Sequence, residues 1–160
     1  VSITFFNYYL FGLILFLLSA ITDFFDGFLA RKYNLVSSFG EMLDPIADKV
    51  LLLFLLFSIT LITKDLYIGL MSSLIISREI FVGGLRDFTS KNNISSTTEV
   101  TFLAKVKTSI QFFTISSYLV SFLIGSSILL FISSFLLFIS LLVTLKTGLD
   151  YFFNTITESK

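Results

Sequence analysis

Five of the chain's eleven acids, Asp23, Asp26, Glu41, Asp44 and Asp48, fall within one short stretch between two strongly apolar runs. Carboxylates are costly in hydrocarbon, about 2.5–3.5 kcal/mol each at the centre of a spanning helix. Four unpaired aspartates there would cost roughly 10 kcal/mol, comparable to the net stability of a domain. Cations held in a water-filled cavity near the membrane surface are the simplest way to offset that cost. Asp23 and Asp26 are three apart at the end of a helical run and share a face, with Gly27 and Ala30 beside them. Asp44 and Asp48 are four apart at the start of the next run and also share a face. Two antiparallel helices joined by a short loop would bring the two pairs together. Four converging carboxylates make a hard-oxygen cage suited to Mg²⁺, Mn²⁺ or Ca²⁺. The chain has no His and no Cys, which excludes an imidazole or thiolate metal site.

The elements that must position these acids are membrane helices. The 160 residues are 55% hydrophobic and 14% charged, with one Pro, and their mean hydropathy is +0.94. Soluble domains carry about a quarter charged residues. Runs such as LFGLILFLLSAI, LLLFLLF and LLFISSFLLFISLLVTL read as a polytopic all-α membrane protein of about five spanning helices. The 21 Phe lie mostly within these runs and suit lipid-facing and interhelical packing. Zero net charge argues against nucleic acid as a partner.

The predicted helices run from about Phe5 to Arg31, Glu41 to Thr63, Leu66 to Phe88, Glu99 to Ile124 and Ile128 to Phe153. Pro45 is expected in the first turn of the second, where a missing N–H costs little. Thr89–Thr98 reads as a solvated loop, Gly125–Ser127 as a turn and the last residues as a polar tail. If the Arg31–Gly40 connector faces the cytoplasm, ten of the eleven Lys and Arg fall in inner loops or inner helix halves, and only Lys64 falls outside. The acidic stretch then opens to the cytoplasm.

The inner ends of the third and fourth helices carry Arg78, Arg86, Lys105 and Lys107, where a phosphate-bearing molecule could bind. Snorkelling to headgroups, or for Arg78 a pair with neighbouring acids, is the alternative. Lys105 and Lys107 are two apart, about 200° around a helix, so only one can point straight into a given pocket. Thr108 lies nearer Lys105 on the wheel, and Gln111 nearer Lys107.

The pattern D-x2-D-G-x2-A-R-x8-G-x3-D-x3-D is met at every position by Asp23, Asp26, Gly27, Ala30, Arg31, Gly40, Asp44 and Asp48. It resembles the signature of the CDP-alcohol phosphatidyltransferases, membrane enzymes of phospholipid head-group synthesis. The segment SREIFVGGLRDF followed by AKVKTSIQF is similar to the bacterial phosphatidylglycerophosphate synthases of that family, with Ala104 where a Gly is common.

The resemblance implies a single integral-membrane domain over residues 1–160, from which the family's first spanning helix is missing. It implies that Asp23, Asp26 and Asp44 bind metal, with Asp48 as general base that also touches metal, and that two Mg²⁺ or Mn²⁺ ions serve as cofactors. Gly27 and Ala30 would leave room for the CDP group that Asp23, Asp26 and Arg31 also contact. The implied reaction moves a phosphatidyl group from CDP-diacylglycerol to glycerol 3-phosphate, giving phosphatidylglycerophosphate and CMP. Arg78, Arg86, Lys105 and Lys107 would hold the acceptor phosphate. The implied setting is a homodimer in a bacterial inner membrane, in contact with membrane lipid. A same-family enzyme acting on phosphatidylglycerol to make cardiolipin is the alternative. A cation transporter is the rival from another class, but its acids should lie near the midplane on interrupted helices.

Overall fold

The computed structural model describes the backbone of residues 2–33, 38–91 and 102–158. Within them, the side chains of residues 2–7, 23, 24, 26–31, 33, 38, 39, 41, 42, 44, 91, 102–105 and 158 are outside the described set. Five helices follow in order: α1 (Ser2–Tyr33), α2 (Ser38–Thr63), α3 (Leu66–Lys91), α4 (Phe102–Ile124) and α5 (Ser127–Glu158). Among the described residues, Pro45–Thr63, Leu66–Ser90 and Ser127–Thr157 are each long and apolar enough to cross a membrane, and α1 carries a shorter apolar run, Tyr8–Thr22. This is the polytopic all-α architecture that the hydropathy predicts.

Helix α5 packs against both α3 and α4; α2 rests on α3, and α1 on α4. Among the described residues α1 and α2 do not pack on each other. They stand as opposite walls.

The seams are unlike those of a soluble bundle. On α4, Lys107, Gln111, Thr114, Tyr118 and Ser121 recur at alternating steps of four and three, and all but Gln111 are buried. On α5 the buried set includes Ser133, Leu137, Ser140, Thr144 and Thr147 at the same steps. Large apolar residues such as Phe54, Phe113 and Phe131 face outward. Lipid is as apolar as Leu, so apolar burial does not drive helices together in a bilayer, whereas small side chains permit close packing and hydroxyls bond across. An apolar cluster of Phe16, Leu56, Ile59, Ile75, Ile115 and Leu137 fills the remaining interior, with Phe16 stacked on Phe112 at 5.0 Å between ring centroids.

Two tight turns match their residues. Lys64 adopts a left-handed φ of 52°, and the next residue, Asp65, accepts a 2.8 Å hydrogen bond from the Tyr67 N–H, capping α3. Gly125, at φ 69°, closes α4 with a 2.8 Å bond from its N–H to the Ser121 carbonyl.

Several boundaries differ from those predicted, and α1 is longer at both ends, Ser2–Tyr33. Helix α2 begins at Ser38, which puts Pro45 beyond the first turn and leaves the residue 41 carbonyl without its helical N–H partner. Thr89, expected in a solvated loop, is helical and buried. Its hydroxyl bonds the Arg86 carbonyl at 3.0 Å and meets the Tyr151 hydroxyl at 3.1 Å. The α3 stripe explains this, since Thr89 continues the spacing of Ile68, Ile75 and Val82, all buried at seven-residue intervals. Likewise α5 runs past Phe153 to Glu158, with Thr155 buried and its hydroxyl bonded to the Tyr151 carbonyl. The predicted start of α4 at Glu99 lies outside the described residues; the described helix begins at Phe102.

Candidate active site

A cavity of about 550 Å³ opens between α1 and α2 and reaches α3 and α4. Phe16, Ser19 and Ala20 of α1 form one wall, and Pro45, Asp48 and Lys49 of α2 form the other. Glu79 and Arg86 come from α3, and Lys107, Thr108 and Gln111 from α4. Asp48 is exposed on its helix and Lys107 is 9% exposed, so the cavity joins an exposed acid to a nearly buried cation.

Glu79 is the hub of the buried side. Its Oε1 accepts from Lys107 Nζ at 2.6 Å, from Arg78 Nη1 at 3.2 Å and from Gln111 Nε2 at 3.5 Å. Gln111 also reaches the Thr144 hydroxyl at 3.4 Å, and Arg78 Nη2 donates to the Thr147 hydroxyl at 2.8 Å. One network thus ties α3, α4 and α5 together. Two cations around one carboxylate leave a local charge of +1, suited to an anionic ligand. Losing one partner of a buried pair costs about 3–5 kcal/mol, because a charge is stranded.

Of the residues predicted to hold the acceptor, Arg86 and Lys107 line this cavity. Arg78 instead lies behind Glu79, against Thr147 and Gly148; a Cβ on Gly148 would stand 2.7 Å from its Nε. That placement matches the alternative reading of Arg78 as the partner of a neighbouring acid. Arg86 lies over the Tyr151 ring, 5.9 Å from its centroid. Lys107 and Gln111, expected on the same side of the wheel, meet at Glu79. The side chains of Asp23, Asp26, Gly27, Ala30, Arg31, Asp44 and Lys105 lie outside the described residues. Asp48 is therefore the one described member of the predicted cage, and no group of three or more acids able to hold a metal occurs among the described residues.

Sequence reasoning passed over Glu79, Thr144, Thr147 and Tyr151. A signal for Glu79 existed. It lies four residues after Ile75 and three before Val82, on the same stripe as the buried positions of α3.

Fold and cavity together define a helical membrane protein whose polar pocket sets an aspartate of one helix against cations of two others. The CDP-alcohol phosphatidyltransferase family profile matches residues 1–146. The chain belongs to that family and is a transferase. It is 44% identical over 143 residues to the CDP-diacylglycerol–glycerol-3-phosphate 3-phosphatidyltransferase of Rickettsia felis, a match covering 88% of this chain and 76% of the relative. The protein of the same name from Rickettsia bellii is 45% identical over the same shares of both chains. That of Wigglesworthia glossinidia brevipalpis is 41% identical over 137 residues, 81% of this chain and 73% of the relative.

Proposed function

We propose that the protein transfers a phosphatidyl group from CDP-diacylglycerol to glycerol 3-phosphate, releasing CMP and phosphatidylglycerophosphate for phospholipid biosynthesis. The observation that carries this reading is that Asp48, the last aspartate of the signature, lines the same cavity as Arg86 and Lys107. The printed name shared by the similar bacterial proteins supports the choice of donor and acceptor.

In this reading Arg86 and Lys107, with Lys105, hold the phosphate of the acceptor, and its primary hydroxyl points toward Asp48. Arg78 contributes through Glu79, keeping the surroundings of Lys107 net positive. Asp48 takes the hydroxyl proton as the oxygen attacks the lipid-side phosphorus, and the bond from that phosphorus to the CMP oxygen breaks. A carboxylate is a weak base for an alcohol, so positioning must supply most of the rate. Asp23, Asp26 and Asp44, together with Asp48, would hold the divalent cations; an all-carboxylate donor set without His or Cys fits Mg²⁺ or Mn²⁺. When bound, such cations neutralise the diphosphate and the departing CMP. Gly27 and Ala30 leave room for the nucleotide, and Arg31 lies beside its diphosphate. The reading includes a homodimer in a bacterial inner membrane, with the cavity opening to the cytoplasm on the side rich in Lys and Arg.

The test is CMP release by purified protein given CDP-diacylglycerol and Mg²⁺ or Mn²⁺, with glycerol 3-phosphate, phosphatidylglycerol, inositol phosphate or serine in parallel. Turnover with glycerol 3-phosphate alone, lost in Asp48→Asn, is the expected result. Turnover with a different alcohol would overturn the acceptor assignment.

A further inference from the structure

Lys49 is a second cation at the α2–α3 wall that neither the signature nor the acceptor residues include. It follows Asp48 directly and lines the main cavity together with it. It also borders a smaller cavity of about 120 Å³ between α2 and α3, shared with Glu79. Among the described residues Lys49 has no hydrogen-bond or ion-pair partner. Glu79, the acid of α3 that borders both cavities with it, is already engaged by Lys107 and Arg78.

The Lys49 ammonium rests against Gly83. A Cβ at Gly83 would overlap the Lys49 Nζ and stand 3.1 Å from its Cε, so the lysine head occupies the space a side chain would take. Gly83 is buried and lies three residues before Arg86, so the two neighbour each other along α3. Lys49 thus meets the face of α3 that carries Arg86, and both cations line the cavity with Asp48. Among the described residues neither Lys49 nor Arg86 pairs with an acid, and two such cations lining one cavity can receive a doubly charged oxyanion.

We propose that Lys49, seated in the notch left by Gly83, is a phosphate-binding residue of the active-site cavity. This rests on the reading that the cavity receives phosphate-bearing substrates. The shared chemistry is a phosphate oxyanion, which either the acceptor monoester or the donor diphosphate can present. A lysine–phosphate contact of ordinary strength corresponds to about a tenfold to hundredfold change in affinity.

The experiment measures equilibrium binding of glycerol 3-phosphate and, separately, of CDP to the whole chain in lipid–detergent micelles, for wild type, Lys49→Gln, Gly83→Ala and the double variant. Lys49→Gln should weaken one of the two ligands by about tenfold to a hundredfold. Weakened glycerol 3-phosphate assigns Lys49 to the acceptor, and weakened CDP assigns it to the donor. Gly83→Ala should weaken the same ligand in the wild-type background and have no further effect once Lys49 is Gln. Unchanged affinity for both ligands in Lys49→Gln would overturn the proposal. So would an equal effect of Gly83→Ala with and without Lys49. If Lys49→Gln does not fold, Gly83→Ala carries the test, paired with Lys49→Arg, which keeps the charge and should retain most of the affinity. CMP release by the wild type, assayed alongside, separates the two ideas. Turnover with unaltered binding in the variants sinks only the Lys49 assignment, and weakened binding without any turnover sinks only the proposed reaction.

Discussion

The two ends of the α4–α5 seam are built on the same polar stripe and differ in charge. Toward the Gly125 turn the contacts are neutral. The Ser117 and Ser133 hydroxyls share a 2.7 Å bond, and the fully buried Tyr118 donates to Ser134 at 3.0 Å. Ser133 and Ser134 also bond carbonyls one turn back on their own helix, so these hydroxyls are satisfied locally even when the helices separate. Toward the other end the stripe carries Lys107 and Gln111, which converge with Arg78 on Glu79. A charged group has no comparable local refuge in hydrocarbon and depends on partners from other helices. The neutral end needs only close packing. The charged end spends stability on a polar cavity, which is what a reaction between two anionic substrates requires.

The strongest way to break this contrast lies at the cavity. Asp48→Asn should reduce CMP release by about 10²–10⁴-fold, the contribution of a general base, while unfolding in detergent stays near wild type because Asp48 is exposed. A large loss of stability would instead assign Asp48 a structural role. Next in size, Glu79→Ala strands Arg78 and Lys107 side by side, and should cost about 3–5 kcal/mol in unfolding measurements. A near-neutral result would mean that water or lipid phosphate replaces the carboxylate. Gly148→Ala pushes a methyl against the Arg78 guanidinium and should cost about 1–3 kcal/mol, with a smaller loss of turnover. Finally, Ser133→Ala at the neutral end should cost about 0.6 kcal/mol and leave CMP release unchanged. An activity loss there would erase the distinction between the two ends.

Much of this was legible without coordinates. The apolar runs place the helices, and the Lys64–Asp65 and Gly125 turns fall where those residue types predict. The spacing of Asp23, Asp26, Asp44 and Asp48 points to the family whose profile the chain matches. What misled the reading was polarity taken as a sign of solvent. Thr89 and Thr155 look like loop and tail residues, yet both are buried, Thr89 on the stripe of Ile68, Ile75 and Val82 and Thr155 beyond the buried Thr144 and Thr147. For Arg78 the sequence could not show its partners, Glu79 beside it and Thr147 sixty-nine residues away.

The amino-acid sequence by itself determined the helices, their turns, the family and the type of chemistry, because helical period, hydropathy and motif spacing are local properties of the chain. Tertiary structure alone decided which cations meet the cavity. Lys107 reaches Glu79 across 28 residues, and Lys49 rests on Gly83 from a different helix. Such pairings depend on the register of packed helices. A shift of one residue turns a helix by about 100° and would exchange every partner.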